Sequence, residues 1–433
     1  MTVMELYKLF QNYPEICTDT RNIVPNSIFF ALRGDNFDAN AFARKAVDEG
    51  CAYAVIDNSQ YADDERFIVV DDVLKTLQEL ARFHRRQMKA TVIGITGTNG
   101  KTTTKELIAD VLKEKYNVIY TQGNLNNHIG VPLTLLKIKP EHEFAVIEMG
   151  ANHAGEIRTL AEIAQPDYGI ITNVGKAHLE GFGSFEGVMR TKAELYDFIL
   201  KRGKGIFLNS DNENLMQMAN SLVFTEKERS VIFYSLLDKA DVRGKIIDCS
   251  PFLEMEIAMS QQFSVTTNLT GSYNAENVLA AVAIGNFFGV DAQHIKQGIE
   301  NYKPTNNRSQ FVETEKNKLI VDAYNANPTS MTAAINNFAQ IAENNKTLII
   351  GDMLELGEQS AEEHQKIVEL LVSFGFVNVF LVGKNFSATK NNFRCFDNVE
   401  ELENYFLNNT ITDSYVLIKG SRGTKLETII RTL

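Results

Sequence analysis

Apolar and polar positions along this chain fall into alternating blocks of two kinds. Short unbroken apolar runs read as buried strands: residues 92–95, 145–147, 168–172 and 205–208, then 319–322, 347–350, 377–382 and 415–418. Between them lie stretches with apolar positions three and four apart, the spacing of a helix with one buried face. Residues 71–86 show it plainly, with Val73, Leu74, Leu77, Leu80, Ala81 and Phe83 near one stripe. Such alternation predicts mainly parallel sheets with helices on both faces.

The pattern also marks joints. Residues 1–88 read as a small α/β unit, with strands at 27–32, 52–56 and 67–70 and a helix at 39–50 stopped by Gly50. A second unit, 89–302, turns β-rich between 231 and 269, with period-two alternation at 252–258 and 263–269, before an alanine-rich helix at 275–288. Tyr302-Lys303-Pro304 reads as a linker, and 303–433 repeats the strand–helix alternation as a Rossmann-like domain without a GxGxxG. The expected architecture is therefore α/β in three domains around a central doubly wound, mainly parallel sheet. A chain of 433 residues is too long for one core, which agrees.

Composition narrows the class. A net charge of -12 argues against a nucleic-acid groove as the main business. Cys17, Cys51, Cys249 and Cys395 are far apart with no C-x-x-C, which suits a reducing compartment. No apolar run approaches the ~20 residues that span a bilayer, and residues 1–11 show no signal-peptide pattern. The expectation is a cytoplasmic protein with no membrane partner.

Candidate chemistry centres on Gly97-Thr98-Asn99-Gly100-Lys101-Thr102, between the strand at 92–95 and a helix expected at about 103–113. Glycines let backbone N–H groups turn toward an anion, and a helix N-terminus adds positive partial charge. Lys101 suits terminal phosphates and Thr102 a Mg²⁺ ion. The general P-loop has a glycine where Ile95 stands, so this is the short form.

Three further segments end near the same place if strand C-termini converge. Glu148 closes the apolar run 144–147, and reads either as a metal ligand or as a solvated strand-end carboxylate. His178 follows the run at 168–172, and reads as a metal-side group or a satisfied loop residue. The segment 123–132 packs Asn124, Asn126 and Asn127 with two glycines and a proline. It reads as a ligand-binding loop or a capped turn before a helix at Leu133. Chemistry alone leaves Lys192 a surface lysine of a helix at 189–200.

In order along the chain, these pieces resemble the Mur ligases, ATP-dependent amide-bond ligases of peptidoglycan synthesis. The short loop is that family's form, and three longer blocks, GNLNNHIGVPLTLL from Gly123, EMGANHAGEI from Glu148 and GDMLELGE from Gly351, resemble the branch that adds D-Ala-D-Ala. Lys419-Gly420-Ser421-Arg422 fits as well. The resemblance implies ATP and Mg²⁺ as cofactors, and UDP-MurNAc-tripeptide and D-Ala-D-Ala as substrates of a monomeric enzyme. Gly97 to Thr103 would hold phosphates, and Thr102, Glu148 and His178 would hold metal, with Lys192 carbamylated beside them. Asn274 and Asn277 would meet adenine, Arg308 phosphate and Asp322 ribose. Thr20 and Arg21, in Thr18-Asp19-Thr20-Arg21, would meet the uridine nucleotide, and Asn124, Asn126 and Asn127 the substrate. Lys419 or Arg422 is a candidate for the dipeptide. The chain has Asp38-Ala39-Asn40 where many relatives carry Asp-Gly-His. The resemblance also implies a third domain that is open when empty and closes on ATP. The competing readings are a sister ligase or folate polyglutamate ligase, and a nucleotide-binding switch without amide-bond chemistry.

Overall fold

The apolar runs pair as parallel strands in a computed structural model, which describes the chain apart from residues 35, 178, 222–229, 238–239 and 306 and the side chain of residue 179. Among the described residues, four strands in the order Ile16–Cys17, Ile28–Phe30, Tyr53–Ile56, Phe67–Val69 form a parallel sheet at the N-terminal end. Among the described residues the central sheet has nine strands. From one edge they run Val118–Tyr120, Phe144–Glu148, Thr91–Thr96, Tyr168–Ile171, Gly205–Asn209, Ser230–Ser235 and Val242–Asp248, all parallel. The antiparallel hairpin Glu254–Ala258 and Gln262–Thr266 completes it. The third sheet has, among the described residues, six strands, parallel apart from the first, Gln310–Glu313, which pairs antiparallel with Lys318–Asp322.

The strand at Thr91–Thr96 decides where ligands go. Chain order reverses around it, with Phe144–Glu148 on one side and Tyr168–Ile171 on the other. A crevice opens at the C-terminal ends of strands at such a switch point. Side chains of these strands alternate between two cores. Val92, Ala145 and Ile147 face one, and Ile93, Ile95 and Val146 face the other. The first core is continuous with that of the N-terminal sheet, because the helix Val73–Gln87 buries Leu77, Leu80 and Ala81 between them. The second is closed by Ala275–Phe287, a helix buried nearly all round, which packs on the P-loop helix Lys101–Lys113.

Several expected bounds move for physical reasons. The P-loop helix starts at Lys101 rather than 103, because Gly100 turns the chain at φ 76°. The expected helix at 39–50 is a 3₁₀ turn, Ala39–Phe42, followed by Ala43–Asp48. The strand expected from 377 begins at Val379, and Val377 is 84% exposed. The helix at 189–200 is longer, Phe185–Arg202, started by the Ser184 side chain accepting from the Gly187 N–H. The helix Val3–Asn12 was not expected, though its capping box, Thr2 with Glu5, is legible.

Candidate active site

The P-loop is shaped by its neighbours before any ligand is considered. At Gly97, φ is 147° and an added Cβ would lie 2.0 Å from Thr172 Oγ1; at Gly100 it would lie 2.6 Å from Asn277 Oδ1. Both positions therefore require glycine. The segment after Tyr168–Ile171 clasps the loop: Thr172 Oγ1 donates to the Asn99 carbonyl at 2.6 Å, and the Asn99 N–H donates to Asn173 Oδ1 at 2.9 Å. The helix start leaves the N–H groups of its first turn without helical acceptors, which makes an anion cradle.

These groups line a cavity of about 1140 Å³. It takes in Gly97 to Thr103, Asn124, Asn126, Asn127 and Glu148 from the central unit. It also takes in Lys192, Asn274 and Asn277, with Arg308 and Asp322 approaching from the C-terminal side. Thr20 and Arg21 are not among its walls; Arg21 is an exposed side chain paired with Asp19 at 2.7 Å. His178 lies outside the described residues.

Lys101 sits at the centre. Its Nζ donates to the carbonyls of Gly97 at 2.8 Å and Thr98 at 3.0 Å. Burial pulls its pKa below the ordinary lysine value; Glu148 opposes the shift and Arg308 adds to it. Thr102 Oγ1 donates to Glu148 Oε2 at 3.0 Å, and Asn126 Nδ2 donates to Oε1 at 2.8 Å. Glu148 is 2% exposed, so the solvated strand-end reading does not hold. A hydroxyl and a carboxylate side by side at a phosphate cradle fit Mg²⁺, which takes one or two carboxylates and completes its shell with phosphate and water. Among the described residues, no group of three or more His, Cys, Asp and Glu could hold a metal without phosphate.

The asparagine-rich segment forms the expected capped turn and also lines the cavity. Asn126 reaches Glu148, while Asn127 Oδ1 accepts from the N–H groups of Ile129 and Gly130 and caps the turn into Gly130–Leu135. Lys192 is not a surface lysine: it is 2% exposed. Burial, with the nearby charge of Lys101, brings its pKa down to about 7. Asn277 accepts from Thr104 Oγ1 at 2.9 Å and donates to Asn274 Oδ1 at 2.8 Å, so the pair is a buried amide network beneath the loop.

Across the cavity, Asp322 Oδ2 accepts from buried Lys419 at 2.5 Å, and the Arg308 guanidinium lies 3.5 Å from the centre of the Tyr324 ring. Arg422 approaches the same ring at 5.7 Å. Sequence reasoning missed Tyr324; its signal was the polar run after the 318–322 strand. The two sides touch. Asn327 Nδ2 donates to Asn99 Oδ1 at 2.7 Å, and Lys176 Nζ lies 3.1 Å from Glu363 Oε1. The C-terminal sheet is thus docked on the P-loop in this structure.

A mainly parallel central sheet with a short P-loop and a second α/β unit hydrogen-bonded to that loop suits a nucleotide held between the two units. Residues 95–285 match the Mur ligase middle domain and residues 307–422 the Mur ligase, glutamate ligase domain. The chain belongs to the Mur ligase family. Within it, the chain groups with the MurF enzymes. It is 33% identical to the UDP-N-acetylmuramoyl-tripeptide–D-alanyl-D-alanine ligase of Bacillus subtilis, over 96% of this chain and 92% of that one. Its fold matches MurF from Acinetobacter baumannii with a TM-score of 0.87 at 31% identity, covering 99% and 98% of the two chains. MurF from Thermotoga maritima in complex with ADP matches with a TM-score of 0.84 at 26% identity, covering 96% of each.

Proposed function

We infer that this chain joins D-Ala-D-Ala to the terminal carboxylate of UDP-MurNAc-tripeptide, with ATP consumed, in peptidoglycan precursor synthesis. The carrying observation is the cavity itself: a phosphate cradle, the Thr102–Glu148 pair and the C-terminal Arg308 and Asp322 share one space, in a chain similar to MurF enzymes along nearly its whole length.

A carboxylate resists attack by an amine because its oxygen leaves poorly. Transfer of the γ-phosphoryl group of ATP to that oxygen gives an acyl phosphate and ADP. The free amine of D-Ala-D-Ala then attacks the acyl carbon, the C–N bond forms, inorganic phosphate leaves and the amine gives up a proton. Lys101 and the loop N–H groups neutralise the phosphoryl oxygens during transfer. Bound at Thr102 and Glu148, Mg²⁺ would supply further positive charge at the phosphates. A second Mg²⁺ would be held with the help of His178, and of Lys192 once carbamylated. With a pKa near 7, Lys192 is in good part a neutral amine at neutral pH. That is the form that adds CO₂, giving a carbamate and a proton. Arg308 leaves the Tyr324 face to meet phosphate, and Asp322 holds the ribose. Asn274 and Asn277 back the adenine side. Thr20 and Arg21 bind the uridine nucleotide of the first domain, 1–88, with 89–302 carrying ATP and 303–433 closing over it. Asn124, Asn126 and Asn127 orient the substrate. No helix among the described residues is long and apolar enough to cross a membrane. The reading places the reaction in the cytoplasm, where ATP is available.

The test is phosphate release from ATP and Mg²⁺ with UDP-MurNAc-tripeptide, with and without D-Ala-D-Ala. Release that depends on the dipeptide, with UDP-MurNAc-pentapeptide found by mass, is expected. Release without that product would return the choice to a sister ligase or a nucleotide switch.

A further inference from the structure

Lys105 stands four residues after Lys101 in the P-loop helix, one turn further along the same side. Its side chain is fully buried, yet it is not a wall of the cavity. Among the described residues its ammonium has no hydrogen-bond partner. It lies instead between two carboxylates, 3.7 Å from Glu148 Oε2 and 3.4 Å from Glu106 Oε1, with the Tyr120 ring centre at 5.5 Å. A buried ammonium is expensive unless opposite charge compensates it, so those carboxylates account for its position. Glu106 is held in turn by the Tyr302 hydroxyl, which donates to Oε2 at 2.9 Å. Tyr302 opens the segment that leads from the central sheet to the C-terminal one.

We propose that Lys105 is the resident counter-ion of Glu148, a positioning residue that balances and aims the carboxylate without touching nucleotide. The inference rests on the reading of Glu148 as a cation ligand. Three groups then fix that carboxylate: Asn126 on Oε1, and Thr102 with Lys105 on Oε2. In the cation-free protein, Lys105 supplies the positive charge that a buried carboxylate requires. When a divalent cation arrives, the ammonium repels it across the shared carboxylate and keeps its hold moderate. Lys105 thereby trades metal affinity for stability of the free enzyme, and the Tyr302–Glu106 arm ties that setting to the interdomain connection.

The test uses Lys105→Met, which keeps length and volume but removes the charge, and reads thermal melting of the full chain. In EDTA the variant should melt below wild type. Addition of Mg²⁺ and ADP should raise its melting temperature by roughly 2–4 °C more than it raises that of wild type, while ADP in EDTA should act equally on both. An equal Mg²⁺-dependent rise in the two proteins would overturn the proposal and leave Lys105 a packing residue. Should Lys105→Met fail to fold, Tyr302→Phe loosens the same ammonium from its other side. It should show the same change at smaller size, and an unchanged Mg²⁺ response there would also overturn the proposal. Glu148→Gln separates the two ideas. A Glu148→Gln protein with a wild-type Mg²⁺ response would remove Glu148 from the metal and both readings fall. Loss of that response, together with a wild-type response in Lys105→Met, would remove only the role of Lys105.

Discussion

The loop at 97–102 and the turn at 18–21 are both short, polar and set beside a strand, yet the fold treats them in opposite ways. In the first, the protein itself already occupies the polar groups. Lys101 bonds loop carbonyls, Thr102 bonds Glu148, and a Cβ at Gly97 or Gly100 would collide with Thr172 or Asn277. In the second, the Arg21 side chain is 85% exposed and pairs with Asp19, two positions back. One region is held by contacts from four distant segments, the other by bonds of Asp19 with Cys17, Arg21 and Asn22 close by in the chain. Preorganised donors act on a transition state without reorganisation cost, whereas an exposed cation would contribute chiefly to capture of an anionic ligand.

The comparison can be broken by substitution. Lys101→Ala should cost most, a fall in kcat of about 10²–10³ or more, with little change in KM for the uridine nucleotide; steady-state kinetics decide it. If kcat survives, the loop is a binding element and the contrast fails. Lys192→Ala should follow, crippling turnover through kcat by about 10²-fold or more. Partial rescue by small carboxylates would identify a carbamate as the missing group, and near wild-type activity would take Lys192 out of the site. Asn327→Ala removes the amide pair that joins the C-terminal unit to the P-loop at Asn99, worth about 1 kcal/mol. It should raise KM for ATP by roughly fivefold, and an unchanged KM would show that this contact does not help closure. Arg21→Ala should raise KM for the uridine nucleotide about fivefold or less and leave kcat alone. A kcat defect would mean that the surface loop is catalytic after all.

The smallest expected effect concerns the joint between the first two units. His84 is buried, its ring nitrogens bonded to the Tyr7 hydroxyl at 3.2 Å and the Ile138 carbonyl at 2.8 Å. Burial holds its pKa below the usual 6.5, so the folded state favours the neutral ring. Its contribution to stability is complete above pH 6.5 and is lost as pH falls through the depressed value. Urea midpoints from about pH 8 to about pH 5 should therefore drop, and His84→Gln should flatten that drop by on the order of 1 kcal/mol. An unchanged slope would show that other groups carry the acid sensitivity.

Much of this was legible in advance for a plain reason. The strand, glycine turn and helix at 91–113 interact within a few residues of one another, so a linear pattern displays them. The parallel sheets follow from apolar runs separated by helical periods, and the buried helix at 275–287 from its lack of any polar face. Edge strands such as Val118–Tyr120 and Arg394–Phe396 were missed, because three residues with one wet side carry no periodicity. Lys192 was misjudged from chemistry alone. Its helix shows nothing of what covers it, and burial beside Lys101 is what changes its character.

Reading the amino-acid order alone was enough for the α/β class, for the glycine loop between strand and helix, and, through block resemblance, for the ligase family. It took the folded chain to show that Lys419 pairs with Asp322, 97 residues away, that Asn99 meets Asn327 across 228 residues, and that Lys105 faces Glu148. Local pattern reports forces that act within a turn of chain. The pairing of buried charges is set by strand register and helix packing, which bring distant residues into a medium where a few ångströms decide their energy.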